Sequence, residues 1–95
     1  MFLVILTYKK PLEEIEQYLS EHISFLDKYY EKKKFVFSGR QNPRTGGIIL
    51  VKSDNRDEIM QIVKEDPFNV HDLADYEAIH FTPTKYDPLF GVFIE

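Results

Sequence analysis

The sequence contains no cysteine among its 95 residues. This absence excludes disulfide frameworks, thiol nucleophiles, and thiolate ligands for zinc or iron–sulfur clusters. It is compatible with a reducing cytoplasm, which is the location we expect. Long apolar runs are absent too: the longest is Met1–Leu6, whereas a membrane-spanning helix needs about 20 apolar residues. This opening also lacks the basic region and small-residue cleavage site of a signal peptide, so we expect no membrane partner and no export signal.

Positive charge is scarce as well. The chain has 12 Lys and Arg residues against 16 Asp and Glu residues, which gives a formal net charge of −4. Proteins that bind nucleic acids through the phosphates present a strongly basic surface. The basic run Lys32–Lys34 lies at the end of a predicted helix, where the helix dipole favours cations. We therefore expect no nucleic acid partner.

Aromatic residues, in contrast, are abundant, with 8 Phe and 6 Tyr in this short chain. The length fits one domain and no more. A domain of this size has a high ratio of surface to volume, which limits the core that it can bury. We therefore expect some of the large apolar side chains to lie in a contact between subunits.

The hydrophobic pattern predicts four strands and two helices. Short apolar or alternating runs indicate the strands. Apolar positions recur at steps of three and four residues from Ile15 to Tyr29, which indicates a long amphipathic helix. Ser53 or Asp54 is expected to cap the second helix, and Asp66 before a proline to end it. The expected order is strand 2–8, helix 11–33, strands 35–38 and 48–51, helix 54–66 and strand 76–81.

This order is the split βαβ arrangement (βαββαβ) of the ferredoxin-like α+β fold, a four-stranded antiparallel sheet with both helices on one face. The strands are apolar on the other face as well, so two copies are expected to stack their sheets in a homodimer. We expect residues 1–84 to form a single domain. The tail 85–95 is too apolar to be free, and we expect it to pack on the domain or on the dimer partner.

His22 is the most suggestive side chain for chemistry, because it takes a position on the apolar face of the first helix. There it is either a core histidine held by one hydrogen bond or a general acid/base. Asp66 is either a solvated residue at a helix end or a functional one, since the helix dipole disfavours a carboxylate at that end. Because both helices cover one face of the sheet, Asp66 can approach His22, fix its tautomer and stabilise its cation.

The segment after the second strand offers groups for a ligand. Ser38 can form a hydrogen bond, and Gly39 permits a close approach of the backbone or a positive φ. Arg40 and Arg44 can hold a carboxylate or a phosphate. A solvated loop is the other interpretation, and it suits Arg44 better than Arg40. None of the three histidines is spaced from another as metal ligands are, so we expect no metal.

Together these features resemble the YciI-like (YCII-related) protein family. The resemblance spans roughly residues 1–84 and does not extend to the tail. Its more specific part combines the histidine of the first helix, Ser-Gly after the second strand, and Asp-Pro-Phe. The segments that carry it are Phe2–Thr7, Glu21-His22, Phe25-Leu26, Phe37-Ser38-Gly39, Pro43–Gly47, Ile48–Leu50, Glu65–Phe68 and Asp75–Ile79.

The resemblance implies a dimeric α/β-barrel with a pocket between helices and sheet. It also implies an active pair of a histidine and an aspartate, which correspond to His22 and Asp66. A member of the family acts as a dehydrochlorinase on a chlorinated hydroxyquinol, so acid/base elimination suits the scaffold. Arg40 stands where many members have proline, and Leu19–Glu21 fill the place of an arginine found in many members. Arg40 is therefore expected to pair with any anionic group of the substrate.

The expected function is that of a small cytoplasmic enzyme that acts on a small organic molecule by cofactor-free acid/base chemistry, such as elimination, isomerisation or hydrolysis. His22 is the expected acid/base and Asp66 its partner, and Ser38, Gly39 and Arg40 are the expected substrate-binding residues. Two alternatives remain open. One is a non-catalytic dimeric module that binds a metabolite or a protein partner. The other is a monooxygenase acting on haem or an aromatic compound, which fold analogy alone suggests.

Overall fold

The computed structural model describes residues 1–94. Its four strands are β1 (Phe2–Tyr8), β2 (Phe35–Arg40), β3 (Gly46–Val51) and β4 (Ala74–His80). They form one sheet in the order β2-β3-β1-β4, and every neighbouring pair is antiparallel. This topology confirms the predicted ferredoxin-like α+β fold.

The strands are connected by helices α1 (Leu12–Gln17), α2 (Leu19–Glu31), α3 (Arg56–Lys64) and α4 (Pro67–Val70). The prediction of one continuous helix over 11–33 is wrong, because the chain leaves helical dihedral angles at Tyr18 (φ −113°, ψ 9°). The Tyr18 N–H donates to the carbonyl of Ile15 in a tighter turn, and the Tyr18 ring stacks on His71. The apolar spacing continues across this break, so Ile15 of α1 and Phe25 of α2 lie in the same core.

The start of α3 also differs from the prediction. Asn55, and not Ser53 or Asp54, is the cap, because its side chain accepts hydrogen bonds from the backbone N–H groups of Asp57 and Glu58. This arrangement satisfies two of the free N–H groups at the helix start.

The helices cover one face of the sheet and form the core with it. Phe2, Val4 and Leu6 alternate along β1 with less buried residues and are almost completely buried on this face. Buried side chains of α1, α2 and α3 join them in one cluster. The core therefore fixes how α2 lies over the sheet, and with it the position of every side chain that α2 directs inward.

The opposite face of the sheet carries apolar side chains too. The strand register places Leu3 of β1 beside Leu50 of β3 and Ile79 of β4, and Phe37 of β2 beside Leu50. Phe37 is 51% exposed. This is the face on which we expect a second copy to stack, and the homodimer stays a prediction.

The loop between β2 and β3 is fixed against the end of β1. The Tyr8 N–H donates to the carbonyl of Thr45 at 2.9 Å. At Gly46, a Cβ atom would lie 1.8 Å from the carbonyl oxygen of Leu6, so only glycine fits this close approach. The approach sets the position of the preceding residue pair, Arg44 and Thr45.

The tail forms a short 3₁₀ helix, Pro88–Phe93. Its apolar side chains are largely exposed, Leu89 by 86%. The packing of the tail 85–95 on the domain or on a partner stays a prediction, and Glu95 lies outside the described residues. Within the described part of the chain, no helix has the length and apolar character needed to cross a membrane.

Candidate active site

Asp66 is completely buried at the junction of α3 and α4. The interpretation that Asp66 sits at an unfavourable helix end is wrong: α3 ends at Lys64, and Asp66 instead caps the start of α4. Its Oδ1 accepts the backbone N–H of Phe68 at 3.0 Å, and Pro67 takes the first helical position. Aspartate as cap and proline as first residue are both favoured at a helix start. The cap therefore holds the carboxylate inside the core.

His22 reaches this carboxylate from α2. Its Nδ1 lies 2.7 Å from Oδ1 of Asp66. The His22 side chain is 12% exposed, and its ring lies flat on Phe68 with the centroids 4.1 Å apart. Because the carboxylate accepts, Nδ1 carries the proton and Nε2 is the nitrogen left for a ligand. The structure thus brings the two predicted side chains together, while their catalytic role stays a prediction.

Tyr76 of β4 is a second side chain that binds Asp66, and it was not predicted from the sequence. Its hydroxyl donates to Oδ2 of Asp66 at 2.6 Å. Burial raises the pKa of Tyr76, and the negative charge of Asp66 raises it further. The hydroxyl therefore remains a donor. The sequence held one indication: Tyr76 alternates in phase with Ala78 on the covered face of β4, where a buried hydroxyl needs a partner.

A cavity of about 210 Å³ lies between α2 and the sheet, and His22 forms part of its wall. This volume is below the roughly 300–1,000 Å³ of sites for drug-sized ligands, so it suits a small organic molecule. Asp66 is not part of the wall and lies behind His22. The wall is mainly apolar and consists of Leu6, Tyr8, Leu19, His22, Ile23, Leu26, Ser38, Gly39, Arg40, Arg44, Gly47, Ile48, Ile49 and Phe68.

The three predicted binding residues Ser38, Gly39 and Arg40 lie side by side in this wall. Ser38 Oγ shares a hydrogen bond of 2.7 Å with the hydroxyl of Tyr30. Gly39 has no positive φ, and a Cβ atom there would meet nothing within 4 Å, so neither expected reason for glycine applies. The structure therefore gathers His22 and these three residues around one cavity, and their binding role stays a prediction.

The charged side chains of the wall are Arg40 and Arg44, and the described lining contains no Asp or Glu. The chain as a whole has a formal net charge of −4. Arg44 already forms an ion pair with Glu16, in which its Nη1 lies 3.1 Å from Oε1. The wall therefore favours an anion through Arg40 more than through Arg44.

The other two histidines lie apart from this site. His71 stacks on Tyr18, and His80 stacks on Phe2 with its Nε2 3.1 Å from Oδ1 of Asp54. Over residues 1–94, no group of three or more His, Asp or Glu side chains is arranged to hold a metal ion.

Comparison with known proteins gives a family and a solved structure of similar fold. The profile of the YCII-related domain matches residues 1–82. No curated protein matches the sequence. A similar solved structure is 5-chloro-2-hydroxyhydroquinone dehydrochlorinase from Burkholderia phenoliruptrix in complex with 2,5-dihydroxybenzoquinone, with a TM-score of 0.71 and 19% identity over 85% of this chain and 93% of that chain. This likeness shows a shared fold, and a fold alone does not establish a function.

Proposed function

Because the chain belongs to the YCII-related domain family, we propose that it is a small-molecule enzyme that uses His22 and Asp66 for acid/base chemistry without a cofactor. The reaction class is elimination, isomerisation or hydrolysis, each of which moves a proton to or from the substrate. The observation that carries this proposal is the His22–Asp66 hydrogen bond of 2.7 Å at the wall of a cavity of small-molecule size.

The roles follow from the hydrogen bonds. Asp66 accepts from Nδ1 of His22, so Nε2 has the lone pair that takes a proton from the substrate. The imidazolium that results is stabilised by the buried carboxylate, and it then returns the proton to the leaving group or product. Tyr76 and the backbone N–H of Phe68 hold the carboxylate in its orientation. A single acid/base residue of this kind contributes about 10²–10⁴-fold in rate.

The remaining wall positions the substrate. Ser38, Gly39 and Arg40 line the side formed by β2, and Phe68 and the aliphatic side chains contact an apolar body. The dehydrochlorinase of similar fold removes hydrogen chloride from a small ring compound, as its name states. Proton abstraction followed by loss of a leaving group is one of the reactions that the His22 arrangement serves, which supports the class of chemistry and not that substrate.

We also propose a cytoplasmic homodimer in which the apolar face of Leu3, Phe37 and Ile79 meets the same face of a second copy. Removing this surface from water stabilises a dimer by roughly 25 cal/mol per Å² of apolar area. Sedimentation of the wild type should give a dimer, and Phe37→Glu should give a folded monomer. A monomeric wild type at micromolar concentration would contradict the proposal.

The acid/base role is tested with probes of known chemistry. The first probe is 5-chloro-2-hydroxyhydroquinone, and its turnover is measured as released chloride. The second is a panel of small carbon acids in D₂O, and their turnover is measured as incorporated deuterium. His22→Gln should slow turnover by about 10²–10⁴-fold without unfolding the protein. Lys64→Gln, on an exposed face of α3, is the control for an altered charge and should keep the wild-type rate.

Two results would refute the proposal. If His22→Gln turns over as fast as the wild type but is less stable, His22 is a core residue. If the wild type binds the probes in the cavity and converts none of them, the protein is a non-catalytic module that binds a metabolite.

A further inference from the structure

The hydroxyl of Tyr8 is a hydrogen-bond donor of the cavity wall that the fold does not use. Tyr8 lines the cavity, and its hydroxyl has no hydrogen-bond partner within residues 1–94. In this part of the chain, Arg44 Nε is the one buried side-chain nitrogen or oxygen without a partner, so the Tyr8 hydroxyl is accessible to water. The other hydroxyl of the wall, that of Ser38, already shares a hydrogen bond with Tyr30. A ligand can therefore engage Tyr8 without breaking a contact of the protein.

The strand register directs the Tyr8 side chain towards the helices. Alternate residues of a strand point to the same face of the sheet. Tyr8 therefore shares the covered face of β1 with Leu6, which also belongs to the wall. Gly47 lies beside Leu6 on β3 and brings no side chain to this face. The missing side chain leaves room above the sheet for a ligand, in the cavity that Tyr8 borders.

Phe68 brings the Tyr8 ring and the His22 ring to the same part of the cavity. The His22 ring stacks on Phe68 with the centroids 4.1 Å apart, and the Tyr8 ring meets Phe68 edge-on at 6.0 Å. The centroids of Tyr8 and His22 are thus separated by no more than these two distances together, a span that one small molecule can bridge. Burial is the main cause that raises the pKa of Tyr76, and the charge of an ionised Tyr8 raises it further. Tyr8 therefore lies near the hydroxyl that binds Asp66.

A hydroxyl donor near a base suits one kind of substrate. When Nε2 of His22 takes a proton from a carbon atom, the electron pair of the broken C–H bond needs an acceptor. A carbonyl group next to that carbon takes up the pair and becomes an enolate, whose oxygen bears the negative charge. A phenolic hydroxyl in a mainly apolar wall stabilises such an oxygen by donating a hydrogen bond that strengthens as the charge develops.

The enolate completes the reaction in one of two ways. In an elimination, its electron pair re-forms the carbonyl group and a new C=C bond, and the leaving group departs from the next carbon with its own pair. In an isomerisation, the enolate takes the proton back from the His22 imidazolium at a carbon atom. Neither route needs an oxidant, a reductant or a cofactor.

We propose that Tyr8 is a catalytic residue whose hydroxyl donates to the carbonyl oxygen of the substrate while Nε2 of His22 takes the proton from the adjacent carbon. The substrate class is a small ketone or a related carbonyl compound with an acidic C–H bond. This inference rests on the proposed function, because it adds a catalytic group to the same site and names its substrate class. It selects elimination or isomerisation through an enolate over hydrolysis.

The first test asks whether a bound carbonyl oxygen meets Tyr8. Cyclohexanone and acetophenone, labelled with ¹³C at the carbonyl carbon, are titrated into the wild type and into Tyr8→Phe. Methylenecyclohexane and α-methylstyrene have nearly the same shapes, with a CH₂ group in place of the oxygen. In the wild type the carbonyl signal should move downfield on binding. Tyr8→Phe should lose this displacement and bind the ketones about three- to tenfold more weakly, while it binds the two alkenes as the wild type does.

The second test measures how fast the hydrogens next to the carbonyl group of both ketones exchange for deuterium in D₂O. Tyr8→Phe should lower kcat by about 10²–10³-fold, as the loss of an oxyanion donor does, with a much smaller change in KM. It should unfold at the wild-type temperature, because the hydroxyl has no partner in the protein. Tyr86→Phe, at an exposed tyrosine of the tail, is the matched control and should change none of these quantities.

The outcomes separate this inference from the proposed function. The inference is overturned if the wild type binds neither ketone, if Tyr8→Phe keeps the carbonyl displacement, or if Tyr8→Phe exchanges deuterium at the wild-type rate while His22→Gln does not. A lower unfolding temperature of Tyr8→Phe would assign its hydroxyl a structural role and would overturn the inference too. If the displacement depends on Tyr8 but the wild type exchanges no faster than His22→Gln, Tyr8 binds the carbonyl group and the proposed acid/base function fails.

Discussion

Replacing Asp66 with alanine removes the acceptor of three donors at once. These are Nδ1 of His22 at 2.7 Å, the backbone N–H of Phe68 at 3.0 Å and the hydroxyl of Tyr76 at 2.6 Å. Asp66 is 0% exposed, so water does not readily take its place. Each buried donor without a partner costs about 1–3 kcal/mol. For three donors we expect Asp66→Ala to lower the free energy of unfolding by about 3–9 kcal/mol, a large share of the roughly 5–15 kcal/mol of a whole domain.

A double-mutant cycle isolates the Tyr76–Asp66 hydrogen bond from the other two. In the wild type, Tyr76→Phe leaves one oxygen of a buried carboxylate unpaired. It should lower the free energy of unfolding by about 1.5–3 kcal/mol. In the Asp66→Ala background, the same substitution removes a hydroxyl that has already lost its partner, so it should be neutral or stabilising. The two effects should therefore differ by about 1.5–3 kcal/mol, which is the coupling energy of the pair.

Urea unfolding followed by circular dichroism measures all four proteins of the cycle. The midpoints should change while the slopes stay constant, which keeps the differences in free energy comparable. Tyr86→Phe, at an exposed tyrosine of the tail, is the matched control and should have no effect in either background. If Tyr76→Phe costs the same with and without Asp66, the hydrogen bond does not exist in solution and the reasoning about this cluster is wrong.

Three further predictions concern the frame of the site. Gly46→Ala should lower the unfolding temperature strongly, because its Cβ would lie 1.8 Å from a carbonyl oxygen of β1. Gly39→Ala should leave it unchanged, because a Cβ there meets nothing within 4 Å. Equal unfolding temperatures of the two variants would contradict this prediction. Burial raises the pKa of Tyr29 from 10.0 to about 12, so its contribution to stability is complete below pH 10.0 and is lost as the pH rises through about 12. As the pH rises from 10.0 to about 12, the midpoint of urea unfolding should fall more in the wild type than in Tyr29→Phe. If the midpoints of the two proteins fall in parallel, the pKa of Tyr29 is not raised. Asn55→Ala should lower the free energy of unfolding, measured by thermal unfolding, by about 1 kcal/mol. Asn55→Asp should lower it little, because aspartate keeps the cap, and equal losses in the two variants would argue against the cap.

The fold follows from the sequence because its periodicity is local. The short apolar run of β1 and the helical spacing of α2 are properties of neighbouring residues, and both elements were predicted. The alternation of burial along β1 was not predicted, because every residue from Phe2 to Leu6 is apolar. The break at Tyr18 was not predictable in this way, because the apolar spacing continues through it. The break accompanies a stacking contact with His71, which is far away in the sequence.

The site was predictable in part for the same reason. The spacing placed His22 on the inward face of its helix, where the structure has it. The pair of Asp66 and Pro67 was misread, because the same dipeptide that ends one helix can cap the next, and only the packing of α4 decides between them. Arg44 suited a solvated loop by sequence, since its burial depends on the contact of Gly46 with β1.

The central claim is that Asp66 holds His22 as an acid/base with Nε2 facing the cavity. The most direct test is NMR of the two ring nitrogens of His22 in the ¹⁵N-labelled wild type and in Asp66→Ala. The neutral imidazole of the wild type should carry its proton on Nδ1, and this preference should disappear in Asp66→Ala. A proton on Nε2 in the wild type, or spectra that do not change when Asp66 is removed, would contradict it.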